Sequence, residues 1–117
     1  MQKILEELAD RVGVLATLLV GDDGVPVAST INGALDEERV AALANTVILS
    51  TRLALEQNGY RGLRSLVLVA DFGKVFLHDL GIGFLVVITQ QDTALGSAEV
   101  EVKSAARKLV KMARLTV

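Results

Sequence analysis

The chain has 117 residues, a net charge of −2 and no cysteine, which describes one domain over residues 1–117 without disulfides, thiolate metal sites or cysteine nucleophiles. Aromatic residues make up only 3% of the sequence and no run of Lys and Arg occurs, so the composition argues against nucleic-acid binding. No stretch approaches the roughly 20 apolar residues that cross a bilayer, and the N-terminus is acidic where a signal peptide is apolar, so we expect a cytoplasmic protein that does not insert into membranes.

The first predicted element is an amphipathic helix over residues 1–12. Charged residues lie on one side of this helix, and its apolar side consists of Ile4, Leu5, Leu8 and Val12. Gly13 predicts its end, because glycine accepts the left-handed conformation at a helix C-terminus without steric cost.

A β-hairpin is predicted next. Residues 14–20 form an apolar, β-branched run of strand length, residues 21–24 form a Gly-Asp-Asp-Gly turn, and residues 25–31 form the second strand. Pro26 donates no backbone hydrogen bond, so we place it at the start of its strand or at a sheet edge.

The longest helical pattern spans residues 36–58. Asp36 is a suitable N-cap, and the acidic first turn complements the positive end of the helix dipole. Apolar residues at three- and four-residue spacing predict a face that packs on the protein's own sheet. That face consists of Val40, Leu43, Ala44, Val47, Ile48, Thr51, Ala54 and Leu55.

The other side of this helix, which includes Ala41, is also small or apolar. A helix on the surface of a monomer normally carries a charged face, and 51% hydrophobic residues is a large share for so small a domain. We therefore expect this side to meet a second copy of the chain. The predicted contact residues are Ala42, Thr46, Leu49, Ser50 and Leu53. Selection of alanine for helix propensity alone is the alternative explanation.

Three strands and a last helix complete the pattern. Residues 63–70, 74–80 and 84–89 are predicted strands joined by tight turns, and the last is apolar enough to be covered on both faces. The final helix spans about residues 92–115. Its predicted apolar face consists of Leu95, Ala98, Val102, Ala105, Ala106, Leu109, Val110 and Ala113. Short connections make neighbouring strands antiparallel, so the pattern predicts an α+β fold with helices on both sides of one sheet.

Two short motifs are better explained as turns than as catalytic signatures. Asp71-Phe72-Gly73 matches three letters of the kinase metal-binding motif, but the chain lacks the catalytic loop and the glycine-rich phosphate loop. Gly81-Ile82-Gly83 is a fragment of a dinucleotide fingerprint that leads into a strand, where the fingerprint requires a helix.

The only histidine, His78, is followed by Asp79, with Ser65 in the preceding strand. A Ser-His-Asp hydrolase needs its serine on a strained turn with an oxyanion hole, which this sequence does not offer. Without a second histidine or a cysteine, His78 is also a poor centre for a metal site. The turn aspartates lack EF-hand spacing, so we expect no catalysis, no metal and no cofactor.

Several strings resemble the Roadblock/LC7 family of small dimeric proteins. Residues 22–29, Asp-Asp-Gly-Val-Pro-Val-Ala-Ser, are similar to the first hairpin of that family. Residues 66–77 are similar to its central hairpin, and residues 84–89 with 94–96 are similar to its final strand and the start of its last helix. The resemblance covers nearly the whole chain and rests on pattern rather than on a catalytic signature.

The resemblance implies one five-stranded antiparallel sheet, with the long second helix on one face and the first and last helices on the other. It also implies a homodimer in which the third strands join edge to edge and the second helices pair. On this basis Leu66 and Leu68 belong to the predicted dimer interface. Such a dimer would cover an apolar strand edge that otherwise invites aggregation.

The same resemblance implies a small Ras-like GTPase as partner, because prokaryotic members work with GTPases of the gliding-motility type and eukaryotic members act in GTPase-regulating scaffolds or as dynein light chains. A partner without chemistry of its own can organise the catalytic loops of the GTPase or supply an arginine. Arg39 and Arg52 are the candidates for an inserted charge. Solvation, or a pair between Arg52 and Glu56, is the simpler interpretation of these two residues. We therefore expect a non-catalytic homodimeric regulator or scaffold.

Two other functions remain open. A structural, light-chain-like dimer would clamp a peptide or helix of a larger complex in a nucleotide-independent way. A small-molecule sensor would need an apolar cavity between the sheet and the helices, whereas the apolar content favours a filled core.

Overall fold

The computed structural model describes residues 1–31, 33 and 35–114 and the backbone of Leu115. The elements in this part of the chain follow the predicted order of helix, hairpin, helix, three-stranded meander and helix, which confirms the α+β class. They are α1 (Gln2–Ala9), β1 (Val14–Gly21), β2 (Pro26–Ser29), α2 (Glu37–Gln57), β3 (Ser65–Ala70), β4 (Gly73–Asp79), β5 (Gly83–Gln90) and α3 (Leu95–Leu115).

The five strands form one antiparallel sheet in the order β2-β1-β5-β4-β3. Strand β5 lies at the centre, and its residues 83–89 are all buried, as the continuous apolar run predicts. Strands β2 and β3 form the two edges. Pro26 is the first residue of an edge strand, where its missing N–H costs no ladder hydrogen bond.

Helices cover both faces of the sheet and separate two hydrophobic cores. Helices α1 and α3 pack on one face, around the fully buried side chains of Leu5, Leu85 and Leu109. Helix α2 packs on the other face, where Ile48 lies against Leu18 and Val86. Each strand therefore contributes alternate side chains to two different layers.

The long helix begins where the sequence predicts but is rotated about its axis from the predicted orientation. The Asp36 carboxylate accepts hydrogen bonds from two backbone N–H groups of the first turn, at 3.0 and 3.3 Å, which confirms the N-cap. The buried residues of α2 are Ala41, Ala44 and Ile48. Leu43 and Ala54, which we predicted to face the core, are exposed, and Ala41, predicted on the outer side, is buried. The small side chains on this side let the helix approach the sheet closely. Because α2 is apolar on every side, packing rather than periodicity decides which side faces the sheet.

Other differences lie at the ends of elements. Helix α1 ends at Ala9, so Val12 falls outside it and is 97% exposed. Gly13 has a φ of +84° and lies in the turn that leads into β1, where a Cβ would clash with Thr93. Strand β2 is shorter than residues 25–31, and Leu95, the first residue of α3, is exposed. These boundaries depend on where the chain must reverse direction, which local periodicity does not record.

Candidate functional site at helix α2 and the β3 edge

Helix α2 crosses one end of the sheet and leaves the other end uncovered. Asn45 lies against the β1–β2 turn, since a Cβ added to Gly24 would come within 3.1 Å of its side-chain nitrogen. Arg52 reaches the β4–β5 turn, where its guanidinium lies 3.8 Å from the Asp79 carboxylate. These two turns lie at the same end of the sheet, because β1 and β5 pair antiparallel through residues next to both turns. None of the helices that the structure describes therefore covers the opposite end of this face.

At that opposite end, α2 and the sheet border an open groove of about 360 Å³, which we call the apolar cleft. The described residues that line it are all apolar: Leu15, Leu35, Val40, Leu43, Ala44, Val47, Leu68, Ala70, Phe72, Val75, Leu77, Val86 and Ile88. Leu43 is 62% exposed and Phe72 is 63% exposed. A contiguous apolar surface of this kind on a small domain is typical of an interaction site.

The outer edge of β3 continues the apolar cleft. Strand β3 pairs only with β4 in the described part of the chain, and its sequence, Ser-Leu-Val-Leu-Val-Ala, carries no charge. Leu68 lies opposite Val75 and Leu66 lies opposite Leu77, so both leucines share the face that carries the cleft. Val69, on the other face, is 69% exposed. Such an edge presents unpaired backbone N–H and C=O groups to any strand that can join it.

The residues predicted for the dimer interface lie on the surface of α2 and at the β3 edge. Ala42, Thr46, Leu49, Ser50 and Leu53 are exposed. The Thr46 hydroxyl donates to the Ala42 carbonyl at 2.9 Å, which leaves little polar character on this side of the helix. Leu66 is half-buried, and Leu68 is 37% exposed. Their role in a dimer remains a prediction.

Sequence reasoning missed several residues that line the apolar cleft. The helical periodicity predicts Leu43 in the core, and the sequence predicts Phe72 only as part of a turn. Leu15 and Ile88 come from strands that are distant in sequence. The available signal was the aromatic side chain in the two-residue turn between Ala70 and Gly73, because apolar residues in such turns have no core to enter.

The structure does not bring Arg39 and Arg52 together. Arg39 lies at the start of α2 with a side chain 90% exposed, and its guanidinium is 3.7 Å from the Asp36 carboxylate. Arg52 lies 13 residues later, which is about 20 Å along the helix axis, and pairs with Asp79 rather than with Glu56. Its guanidinium also lies 4.8 Å from the centroid of the Phe84 ring. Arg52 therefore holds α2 on its own sheet, whereas Arg39 is available to a partner.

His78 and Asp79 lie on opposite faces of β4 and do not form a catalytic pair. The Asp79 carboxylate accepts from the Gly81 N–H at 2.8 Å on the α2 side, while His78 lies beside Lys103 on the α3 side. Burial lowers the pKa of His78; Asp79 opposes this shift and Lys103 adds to it. Ser65 is the cross-strand neighbour of His78, but no hydrogen bond joins these side chains in the described part of the chain.

Neither a metal site nor a membrane helix is found among residues 1–31, 33 and 35–115. No three side chains of His, Asp or Glu cluster as potential metal ligands there. None of the helices in the same ranges is both long and apolar enough to cross a bilayer. On the face of the sheet that carries α2, the features available for recognition are the apolar cleft, the outer side of α2 and the β3 edge.

Comparison with sequence profiles of protein families matches residues 1–89 to the Roadblock/LC7 domain. The chain belongs to the Roadblock/LC7 family. Two relatives of this Roadblock/LC7 domain are the uncharacterized proteins MJ0714 and MJ1340 of Methanocaldococcus jannaschii, which are 32% and 30% identical to it over 112 residues. These alignments cover 96% of this chain and 95% and 98% of the two relatives.

Solved structures show the same fold at low sequence identity. A Roadblock/LC7 domain from Streptomyces avermitilis superposes with a TM-score of 0.86 at 17% identity, covering 100% of this chain and 98% of that one. MglB of Myxococcus xanthus superposes with a TM-score of 0.89 at 18% identity, covering 97% and 94%. Profilin IB of Acanthamoeba castellanii shares the architecture more loosely, with a TM-score of 0.65 at 17% identity, covering 96% and 98%. At these identities the similarity establishes the fold.

Proposed function

We propose that this Roadblock/LC7 domain is a homodimeric, non-catalytic regulator or scaffold of a small Ras-like GTPase in the cytoplasm. The observation that carries the proposal is the continuous apolar surface of the apolar cleft, the outer side of α2 and the β3 edge. Membership of the Roadblock/LC7 family supports it, because the resemblance implies both the dimer and the GTPase partner.

In the proposed dimer, β3 pairs antiparallel with β3 of a second copy, so that two sheets become one. A strand that pairs antiparallel with the same strand of a second copy generates two-fold symmetry. Every interface residue therefore contributes from both subunits. Leu68 lies at this edge and faces the same side as α2. The second copy would therefore bring its own α2 over the shared face, covering exposed side chains such as Leu43 and Phe72.

The apolar cleft is also the kind of cavity that a small-molecule sensor would need. Ligand sites, however, combine an apolar lining with a few polar groups that orient the ligand. Among the residues that the structure describes, no side chain that lines this cleft is polar. We therefore assign the cleft to protein contacts rather than to a small molecule.

We assign the chemistry of GTP hydrolysis to the GTPase itself. Catalysis of phosphoryl transfer depends mainly on positioning and on charge stabilisation, so a bound partner accelerates it by holding the switch loops in the reactive arrangement. Arg39 is the better candidate for a direct contact, because Arg52 is engaged by Asp79 and Phe84. Regulation through loop organisation requires that the protein distinguish the GTP-bound from the GDP-bound partner.

The test is binding of the purified protein to the Ras-like GTPase encoded nearest to this chain, loaded with GDP or with a non-hydrolysable GTP analogue. Tighter binding to the GTP form supports a regulator, and equal affinity for both forms favours the light-chain-like clamp. Absence of binding in both forms contradicts the proposal. We expect Arg39→Glu to weaken the complex about three- to tenfold, while Lys108→Glu, on the other face of the sheet, leaves it unchanged.

A further inference from the structure

Helix α3 carries a concentration of positive charge that the proposed function does not use. From residue 103 onward it contains five cationic side chains and no acidic one, although the whole chain has a net charge of −2. Four of the five recur every three or four residues, which places them on one side of the helix. They are Lys103, Arg107, Lys111 and Arg114.

Beside this side of α3, the helix and the end of β4 enclose an open groove of about 560 Å³, which we call the basic groove. Arg107, Lys111 and Arg114 border it together with His78 and Asp79 at the end of β4, and Ala106 and Val110 give it an apolar floor. The Asp79 carboxylate lies 3.8 Å from the Arg52 guanidinium, which offsets its charge. None of these three cations forms a salt bridge with another residue that the structure describes. Like charges three or four residues apart on a helix repel each other. An anion bound between them would relieve this repulsion.

The surroundings of the groove favour a short ligand over a flat or long one. Helix α1 runs along the opposite side of α3, since Arg11 lies 3.3 Å from Glu101 and the Met1 amino group lies 3.1 Å from the Met112 sulfur. The exposed residues of α1 and its C-cap include three carboxylates, Glu6, Glu7 and Asp10, and one cation, Lys3. An anionic membrane or a long nucleic acid laid on this face would meet those carboxylates, whereas a segment confined to the groove would not.

We propose that the basic groove binds a short acidic segment of a partner protein. Carboxylates of the segment pair with Arg107, Lys111 and Arg114, and an apolar side chain between them packs on Ala106 and Val110. The groove lies on the face of the sheet opposite α2, so it stays open when the apolar cleft and the β3 edge are occupied. The domain thereby has two independent recognition surfaces, and this second one does not depend on the GTPase proposal.

The experiment uses a fluorescent synthetic peptide in which Glu alternates with Leu, and a control peptide with Gln in place of Glu. We expect the acidic peptide to bind, the control not to bind, and added salt to weaken the complex. Lys111→Glu should reduce the affinity about tenfold, since it removes one attraction and adds one repulsion. Lys108→Glu makes the same charge change on the same helix outside the groove and should alter the affinity less than about twofold. Equal losses in the two variants, or equal binding of both peptides, would overturn the proposal.

Two further measurements distinguish the acidic segment from two other ligands of the groove, an anionic lipid and α1 of a second copy. Binding to phosphatidylglycerol vesicles that depends on Lys111, without binding of the acidic peptide, would overturn the proposal in favour of lipid. Self-association that Lys111→Glu abolishes and Glu7→Lys restores would overturn it in favour of α1 of a second copy. No GTPase is present in any of these assays, so their outcome is independent of the function proposed above.

Discussion

Replacing Leu53 on α2 by lysine is expected to separate the proposed dimer. Leu53 is 56% exposed and Leu49 is 53% exposed, so about half of each side chain is left for a partner to bury. Full burial of a leucine contributes roughly 1.5–3 kcal/mol, so half contributes about 1 kcal/mol per subunit. Two-fold symmetry doubles this loss to about 2 kcal/mol, and a lysine ammonium without a partner in the interface adds several kcal/mol more. A loss of about 1.4 kcal/mol of binding free energy raises a dissociation constant tenfold. The dissociation constant of the dimer should therefore rise at least about 100-fold.

The assay is molar mass from sedimentation equilibrium over a concentration series, for the wild type and for Leu49→Lys and Leu53→Lys. Val100→Lys is the matched control, because Val100 is 64% exposed on α3, away from the proposed interface. Circular dichroism confirms that each variant remains folded. Unchanged mass in both α2 variants would refute the helix pairing. Dissociation of a Leu43→Lys variant, with both of the other α2 variants still dimeric, would confine the contact to the part of α2 that borders the apolar cleft.

Four further predictions concern stability, each measured by denaturant unfolding. Gly96→Ala should raise the free energy of unfolding by about 0.4–1 kcal/mol, because this helical glycine has open space around it. Gly73→Ala should lower the free energy of unfolding by about 1–3 kcal/mol, because a Cβ there would clash with the β5 backbone. Asp36→Ala removes the N-cap of α2 and should cost about 1 kcal/mol. Because burial lowers the folded-state pKa of His78 below the ordinary histidine value of 6.5, the wild type should lose stability as the pH falls from 6.5 toward that lower pKa. His78→Gln should lack this loss.

Features governed by neighbouring residues could be predicted from the sequence. The Asp36 N-cap depends on its own carboxylate and the next backbone N–H groups. The position of Pro26 on an edge strand follows from its missing N–H. The tight turn at Asp71 and Phe72 follows from turn chemistry. Strong local preferences of this kind hold wherever the element is placed in the fold.

Features that depend on tertiary packing could not be predicted in the same way. Helix α2 is apolar on every side, so periodicity did not show that Ala41 rather than Leu43 faces the sheet. The apolar cleft is assembled from strands, turns and a helix that are far apart in sequence, which no single pattern reveals. The sequence predicts Arg52 to be solvated or paired with Glu56 one turn away, but its ionic partner is Asp79 at the end of β4. An exposed charge can pair with a carboxylate that the fold brings close in preference to one that is close in sequence.

The most direct test of the proposed function is the rate of GTP hydrolysis by the Ras-like GTPase encoded nearest to this chain, measured with and without the purified protein. The proposal predicts faster hydrolysis in its presence, and it predicts that Leu53→Lys, which disrupts the dimer, reduces this acceleration while Val100→Lys does not. An unchanged hydrolysis rate, together with no complex in either nucleotide state, would contradict it.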